Sequence, residues 1–386
     1  MCLTSMSQEW RGWAAGAVAL AVAACGGETS PTQPAARTFA RVSAGGAHTC
    51  GVTSGGAAYC WGSNGDGELG DGTTADRLSP VPVAGDVSFA AVSAGDGGDT
   101  CGVPAGGAAY CWGYNYFGQL GDGTTTDRSS PVLVGGGVSF AAVSTGGSHT
   151  CGVPAGGAAY CWGWNYYGQL GDGTTTNRSS PVLVAGSVSF AAVSAGGAHT
   201  CGVTSGGAAY CWGLNDFGQL GDGTTTNRPS PVLVAGGVSF AAVSAGDVST
   251  CGVTAAGAAY CWGLNSNGQL GDGTTTNRLS PVLVAGGVSF AAVRAGGSHT
   301  CGVTAGGAVY CWGLNSNGQL GDGTPTDRSS PVPVAGGVSF AAVSAGFAHT
   351  CGVTAGGAAY CWGYNDHGQL GDGTTTDRSS PVLVVQ

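Results

Sequence analysis

The sequence predicts an all-β fold, namely a seven-bladed β-propeller with four-stranded antiparallel blades. Two observations predict this fold. A motif that starts at Phe39 recurs seven times, with a period of about 50 residues that lies in the range of propeller blades. Each repeat offers four short β-runs separated by turn residues, and four strands make one blade. At 386 residues the chain is longer than one hydrophobic core supports, so repetition of a small unit explains its length.

The fourth repeat illustrates the expected strands, at residues 190–194, 199–203, 208–212 and 231–234. The only long link in the repeat covers residues 213–230, and we take it as the crossing between blades. The last β-run of the chain, residues 381–384, has no following partner run. We therefore expect this C-terminal strand to join the blade that holds the first three strands and to close the ring, which would remove exposed sheet edges.

Composition limits the classes of partner. The chain has 77 glycines, 8% aromatic residues and 8% charged residues, with a formal net charge of −10. All eleven basic residues are arginine. Nucleic-acid binding depends on Lys and Arg that neutralise phosphates, so we expect no nucleic-acid partner. Seven arginines follow Asp or Asn at one repeat position, which predicts a structural pairing in each unit: Arg77, Arg128, Arg178, Arg228, Arg278, Arg328 and Arg378.

The N-terminal sequence predicts an export signal. Residues 13–24 are apolar, too few to span a bilayer, preceded by Arg11 and followed by small residues, as in a signal peptide over residues 1–24. The sequence Val-Ala-Ala-Cys that ends at Cys25 resembles the lipobox of bacterial lipoproteins. The resemblance implies that Cys25 is lipidated and that the protein is held at the cell envelope, in the outer membrane or at the cell surface, by this anchor alone.

Simple secretion remains the alternative, because Glu9 opposes Arg11 and translation could start at Met1 or Met6. Residues 25–38 contain several Ser, Thr and Pro residues and are interpreted as a flexible tether. The propeller then occupies residues 39–386.

The sixteen cysteines form seven spaced pairs, with Cys2 and Cys25 left over. In the first pair, a three-residue loop centred on Gly55 would place Cys50 directly opposite Cys60 on two antiparallel strands, within disulfide reach. Export favours oxidation. Seven metal sites are the alternative, although Cys-x-x-Cys spacing and paired His are missing. The expected disulfides are Cys50–Cys60, Cys101–Cys111, Cys151–Cys161, Cys201–Cys211, Cys251–Cys261, Cys301–Cys311 and Cys351–Cys361.

Three recurring segments, A-G-x-x-H-T, Y-C-W-G-x-N-x-x-G-Q-L-G-D-G and S-P-V-x-V, resemble the repeat of the regulator of chromosome condensation (RCC1) family. The resemblance covers residues 39–384. It implies a propeller, and it says little about function because propellers host unrelated activities.

Positions that are alike in the repeats are explained by the fold. We expect the repeated Asp of G-D-G-T, such as Asp122 and Asp172, to form Asx-turns. A calcium site at residues 64–68 lacks the further acids of an EF-type loop. Five histidines on different blades are expected to make structural hydrogen bonds, and Asp99 and Ser249 replace His in two blades. The repeated residues are the core anchors Trp61, Trp112, Trp162, Trp212, Trp262, Trp312 and Trp362, and the histidines His48, His149, His199, His299 and His349.

Positions that vary among the repeats are free to serve a partner. Aromatic residues on neighbouring loops form a surface that suits binding by stacking and burial. The alternative is that half of them pack under adjacent loops. The predicted binding residues are Tyr114, Tyr116, Phe117, Trp164, Tyr166, Tyr167, Phe217, Tyr364 and His367. Further departures from the repeat are residues 96–99, Asp247, Arg294 and Phe347.

These patterns favour a monomeric, non-enzymatic scaffold that recognises an extracellular protein or polysaccharide, with no cofactor and no metal. Titratable residues outside the repeat pattern are scattered and show no pairing of nucleophile and base: His367, Asp366, Asp216, Asp99 and Arg294. The family resemblance implies two alternatives. One is inhibition of an exported enzyme, as by β-lactamase inhibitory protein II. The other is guanine-nucleotide exchange on a small GTPase, which export and the lack of basic surface disfavour.

Overall fold

The computed structural model describes residues 37–385. These residues form seven four-stranded antiparallel sheets arranged as a propeller, and helices are absent from this part of the chain. The all-β seven-bladed prediction is confirmed. The predicted signal peptide 1–24, the lipidation site Cys25 and the tether up to residue 36 lie outside the described residues. Nothing within residues 37–385 forms a helix that could cross a bilayer.

Each blade takes its four strands from one continuous stretch of chain. Blades 1 to 3 comprise β1 (Phe39–Ala44), β2 (His48–Thr53), β3 (Ala58–Gly62), β4 (Arg77–Pro82), β5 (Phe89–Ala94), β6 (Asp99–Pro104), β7 (Tyr110–Gly113), β8 (Arg128–Leu133), β9 (Ala142–Thr145), β10 (His149–Val153), β11 (Tyr160–Gly163) and β12 (Arg178–Leu183).

Blades 4 to 7 repeat this order. They comprise β13 (Ala192–Ala195), β14 (His199–Val203), β15 (Ala209–Gly213), β16 (Arg228–Leu233), β17 (Ala242–Ala245), β18 (Ser249–Val253), β19 (Ala259–Gly263), β20 (Arg278–Leu283), β21 (Ala292–Ala295), β22 (His299–Val303), β23 (Val309–Gly313), β24 (Arg328–Pro333), β25 (Ala342–Ala345), β26 (His349–Val353), β27 (Ala359–Gly363) and β28 (Arg378–Leu383).

The predicted ring closure by the C-terminal strand is wrong. Strand β28 pairs with β27 inside blade 7, and blade 1 is complete with β1 to β4. The long link, which joins the third and fourth strands of a blade, therefore returns to its own sheet. It is long because it first covers the neighbouring blade: Gly223 N donates a hydrogen bond to Leu279 O at 2.9 Å.

Side-chain and backbone hydrogen bonds between blades 7 and 1 close the ring in place of strand exchange. His349 Nε2 lies 2.8 Å from Thr49 Oγ1, and Phe39 N donates to Gly357 O at 2.8 Å. The same His–Thr contact joins blades 3 and 4, where His149 Nε2 lies 2.8 Å from Thr200 Oγ1. The junction between blades 7 and 1 is thus built like one inside the ring.

Strand ends differ slightly from those predicted for blade 4. The first strand begins at Ala192 instead of residue 190, and the fourth begins at Arg228 instead of residue 231. The ladder between β15 and β16 continues past an irregularity at Trp212, so that Gly213 faces Arg228. In such a bulge, the two strands contribute different numbers of residues to the same stretch of the ladder. Alternating hydrophobicity in the sequence does not reveal this feature.

The cysteine hairpins are confirmed. Cys50 faces Cys60 directly in the β2–β3 ladder, with their Cα atoms 4.1 Å apart. The turn is the predicted three-residue loop, because Thr53 N bonds Ala57 O and Gly56 adopts a φ of 85°. All seven predicted pairs form disulfides.

Hydrophobic clusters fill the spaces between neighbouring blades. Between blades 3 and 4, the disulfide Cys151–Cys161 and Leu170 of blade 3 pack against Phe190 and Trp212 of blade 4. The two aromatic rings lie 5.6 Å apart. Replacing a buried Trp by Ala costs on the order of 3–5 kcal/mol, so each junction depends strongly on its indole.

The predicted role of the tryptophans as anchors between blades is confirmed. All seven are fully buried. Trp162 Nε1 donates to Gln119 O of the preceding blade at 2.9 Å. Gly171, with a φ of 69°, lies directly against the next indole, since a Cβ there would approach Trp212 Nε1 to 2.6 Å. Glycine at this point of the long link lets the link close over the indole.

The five histidines make structural hydrogen bonds, as predicted, and the bonds join different blades. The Thr200 hydroxyl donates to Gln169 O at 2.8 Å, so it must accept from His149 Nε2. This fixes the tautomer with the proton on Nε2. Burial lowers the pKa of His149 to about 3 and that of His299 to about 4, so these rings are neutral in the folded protein.

We predict that acid destabilises the protein through these rings. Because the folded pKa lies below the unfolded value of 6.5, the stabilisation is complete above about pH 6.5 and is lost as pH falls towards the folded pKa. Each histidine contributes a slope of up to about 1.4 kcal/mol per pH unit. Urea unfolding of His299→Ser, which copies Ser249 of blade 5, should show a shallower slope between about pH 6.5 and pH 4.5.

The seven Asp residues of the long links do not interfere in this window, because their pKa values are lowered from 3.8. Their stabilisation is present above pH 3.8 and is lost only as pH falls below it. An identical slope in the wild type and His299→Ser would show that the histidine ring is not held neutral.

Candidate binding face

One face of the propeller carries the long links together with the turns between first and second strands. The antiparallel order of each blade places these two connections at the same end of its sheet. Ser63 N, at the start of a long link, donates to Ala47 O in such a turn at 2.9 Å. We call this surface the link face. The variable positions of the long links lie on it.

A buried asparagine organises each long link. In blade 3, Asn165 Oδ1 accepts from Leu170 N at 2.9 Å, while its Nδ2 donates to Thr174 O at 3.2 Å and Thr176 O at 3.0 Å. One side chain thus holds both halves of the link. The variable residues on either side of this asparagine therefore stand on a fixed backbone.

The predicted Asx-turns and arginine pairing are both present. Thr174 N donates to Asp172 Oδ1 at 2.9 Å, and Arg178 reaches Asp172 Oδ2 with Nε at 3.0 Å and Nη2 at 2.9 Å. Burial by itself would raise the pKa of Asp172, but the hydrogen bonds from Thr174 and Arg178 lower it overall. The partner of the arginine is this Asp, six residues earlier, and not the adjacent Asn177, which accepts from Asn165 N.

All seven arginines of this repeat position are paired in the same way. Their positive charges are therefore committed to the long links. Most of the exposed carboxylates on the same links have no such neutralising partner, so the link face is acidic. The exposed acidic residues are Asp66, Asp76, Asp127, Asp216, Asp327, Asp366 and Asp377.

Six of the predicted binding residues form one aromatic cluster across blades 2 and 3. In blade 2 the rings of Tyr114 and Tyr116 are nearly parallel at 6.5 Å, and Phe117 meets Tyr116 edge-on at 4.9 Å. Phe117 lies 5.7 Å from Trp164 and connects the blades. We call this set the aromatic cluster; it comprises Tyr114, Tyr116, Phe117, Trp164, Tyr166 and Tyr167.

Blade 3 repeats the arrangement of blade 2. Trp164 is nearly parallel to Tyr166 at 6.5 Å, and Tyr167 meets Tyr166 edge-on at 4.9 Å. Tyr116 and Tyr166 are 67% and 69% exposed, whereas the other four rings are half-buried. The four half-buried rings thus support the two exposed ones. The sequence left open whether these residues form a binding surface or pack under adjacent loops, and the cluster contains both exposed and packed rings.

Three predicted binding residues lie outside the aromatic cluster. Phe217 is 36% exposed in blade 4 and makes no ring contact with the cluster within the described residues. In blade 7, the Tyr364 hydroxyl donates to Asp366 at 2.9 Å, and His367 Nδ1 lies 3.1 Å from Asp76 Oδ2 of blade 1. The structure therefore does not bring these three residues together with the other six.

Acidic groups border the aromatic cluster on its blade 1 side. The pKa of Tyr114 is raised by burial and by the nearby charges of Asp127 and Asp66. The pKa of Asp66 is raised by burial and by Glu68 and Asp127. Aromatic rings and carboxylates thus share one region of the link face.

A cavity of about 480 Å³ lies nearer the axis on the same face. Phe347, Tyr364 and Asn317 line it, together with Asp96. The cavity was not predicted from the sequence. The departures of Asp96 and Phe347 from the repeat were the available signal, but only the fold shows that both residues line one cavity.

The residues considered for catalysis or metal binding are spread over the structure. Asp99 is fully buried and Asp216 is exposed. Glu68, in the segment weighed as a calcium loop, accepts hydrogen bonds from Ser63 Oγ at 2.7 Å and Asp66 N at 2.9 Å. Across residues 37–385, no group of three or more His, Cys, Asp or Glu side chains is placed to hold a metal ion.

Comparison with known proteins agrees with this architecture. The model of the regulator of chromosome condensation (RCC1) repeat matches residues 55–98, 106–153, 156–203, 206–253, 256–303, 306–353 and 356–386. Human WBSCR16 has a similar structure, with a TM-score of 0.75 and 21% identity over 83% of this chain and 88% of that one. Yeast RCC1 (Prp20), solved with Kap60, gives a TM-score of 0.71 and 19% identity, covering 79% and 77% of the two chains.

A curated relative, the ultraviolet-B receptor UVR8 of Arabidopsis thaliana, is 36% identical over 104 residues. The match covers 27% of this chain and 24% of the receptor. The chain thus matches about a quarter of the length of that relative.

We predict that one indole within residues 37–385 is accessible to a quencher. Of the eight tryptophans from Cys25 onward, seven are fully buried and Trp164 is half-buried. Iodide should quench only the fraction of fluorescence that comes from Trp164, because the buried indoles cannot meet it. Trp164→Leu, which copies Leu264 of blade 5, should remove the quenchable fraction, and equal quenching in both proteins would contradict the geometry.

Proposed function

The chain belongs to the regulator of chromosome condensation (RCC1) repeat family, and we propose that it is a non-enzymatic binding scaffold at the cell envelope. Its partner is an extracellular protein with a basic surface, which it binds through the aromatic cluster. A propeller offers a rigid platform, and function resides in the residues presented on it.

The observation that carries this proposal is the exposure of Tyr116 and Tyr166 above a support of other rings. Large side chains that remain more than 60% exposed contribute little to folding, so their burial is available to a partner. Tyr and Trp dominate the energetically important positions of protein interfaces. The contacts that hold both tyrosines in place reduce the entropy lost on binding.

The charge of the partner follows from the border of the cluster. Asp66 and Asp127 are exposed beside Tyr114, and the repeated arginines are already paired. A basic partner would neutralise these carboxylates and place Lys or Arg side chains over the tyrosine rings, a favourable cation–π arrangement. Complementary charge also speeds association and makes it sensitive to salt.

The shape of the cluster favours a protein over a polysaccharide. The exposed rings of Tyr116 and Tyr166 stand on consecutive long links, and neither ring lines the cavity at Phe347. A broad, exposed aromatic surface resembles the centre of a protein interface. Polysaccharide binding is the alternative that affinity capture tests.

The proposal predicts that the exposed rings of Tyr116 and Tyr166 contribute most of the binding free energy. Tyr116→Ser with Tyr166→Ser copies Ser266 and Ser316 of blades 5 and 6, so the folded structure should persist. Loss of interface anchors of this type costs about 2 kcal/mol or more each. In affinity capture from extracellular protein, the bound partner should fall at least tenfold, and capture by the wild type should weaken as salt increases.

The control is Leu133→Ser with Leu183→Ser, which removes side chains of 54% and 51% exposure from the outer strands β8 and β12 of the same blades. It should capture the partner as the wild type does. Equal capture by the tyrosine variant would refute the role of the cluster. If protein-free polysaccharide retains the wild type and does not retain the tyrosine variant, the partner is a glycan instead of a protein.

The proposed location is the cell envelope, with Cys25 as the lipid attachment site. Seven disulfides are consistent with an oxidising, exported environment. The lipobox-like sequence before Cys25 supports the anchor. Two acyl chains give stable membrane attachment, whereas one chain alone binds weakly.

We predict that Cys25→Ser moves the protein from the membrane fraction to the soluble exported fraction, because the acceptor thiol is gone. Fractionation followed by immunoblotting measures the shift. Cys2→Ser, which lies within the predicted signal peptide, is the matched control and should stay with the membranes. A soluble wild type would indicate simple secretion.

A further inference from the structure

The innermost strands of the seven blades surround an axial cavity of about 370 Å³. Six blades present a serine from their first strand to this cavity: Ser43, Ser93, Ser144, Ser194, Ser244 and Ser344. Each serine oxygen accepts a hydrogen bond from a backbone N–H of the next blade, as in Ala195 N to Ser144 Oγ at 3.0 Å. The serine ring is therefore part of the contacts between blades.

Blade 6 departs from this pattern, because Arg294 occupies the serine position of β21. The substitution removes the hydroxyl acceptor that Ala345 N would meet by analogy with Ala295 N and Ser244. The chain thus gives up a contact that six other junctions keep. A residue that departs from the repeat at the expense of a structural bond is a candidate for a functional role.

The guanidinium of Arg294 has few partners. Its Nη1 donates to Val293 O at 3.1 Å, and no carboxylate among the described residues forms an ion pair with it. By contrast, the seven link arginines each bind an Asp. The Arg294 side chain is exposed where it lines the cavity, and the surrounding protein lowers its pKa. A guanidinium that lines a cavity and lacks a counter-ion can bind an anion there with paired N–H donors.

We propose that the axial cavity binds a small oxyanion, with Arg294 as its principal ligand and serine hydroxyls as additional donors. Ser144 and Ser194 already accept backbone hydrogen bonds, so their O–H groups are free to donate into the cavity. A guanidinium offers paired donors that match an oxyanion. This site is separate from the aromatic cluster and does not depend on the proposed partner.

The remaining charges at the cavity are compatible with an anion. Asp96 is the other charged residue that lines it, and burial together with the charge of Asp247 raises the pKa of Asp96 to about 7. The pKa of Asp247 is also raised by burial. Asp96 therefore carries less negative charge near neutral pH than an ordinary aspartate.

The test uses inorganic sulfate, whose charge is constant near neutral pH. Calorimetric titration of the mature chain, at ionic strength held constant with chloride, should show one saturable site per chain. Arg294→Ser restores the serine of the other six blades, so the protein should fold, and its affinity for sulfate should fall at least about tenfold. Asn277→Asp is the matched control and should bind as the wild type does.

The control changes the net charge by the same amount as Arg294→Ser, at an exposed link position that already carries Asp76, Asp127, Asp327 and Asp377 in other blades. Three results would overturn the proposal. These are the absence of saturable sulfate binding to the wild type, equal sulfate affinity in Arg294→Ser, and an equal loss of affinity in Asn277→Asp.

Discussion

The insertion of one indole under the long link of the preceding blade is the contact on which the propeller depends. Trp162 is fully buried and donates to Gln119 O, while the glycine of the next link lies against Trp212. Disulfides and histidines surround the same junctions. Because neighbouring blades share no backbone ladder, side-chain burial and a few hydrogen bonds must hold the ring together.

The fold was largely predictable because the sequence pattern of one blade recurs seven times. The hairpin turn at Gly55 and the opposed cysteines followed from turn chemistry and strand alternation. The closure did not, because the length of a link does not tell whether it returns to its own sheet. That choice depends on the contact between the link and the neighbouring indole, which exists only once the blades are assembled.

The sequence indicated which kind of residue forms the candidate site, but it did not indicate which of these residues lie together. Departure from the repeat pointed to Tyr116 and Tyr166, but it gave equal weight to Phe217 and His367. Whether rings touch depends on the spacing of consecutive links, which brings Phe117 to Trp164 and leaves Phe217 apart. For Arg294, the sequence showed a departure, whereas the inner strand and the direction of the cavity had to come from the structure.

The assembly of each sheet from one uninterrupted segment bears on how such proteins change size. A duplication or deletion of one repeat in the gene adds or removes a complete blade, and no neighbouring sheet is left with a missing strand. The new junction finds the same indole and glycine as every other. The ring can also be opened at any connection between blades, so circularly permuted chains should reach the same architecture.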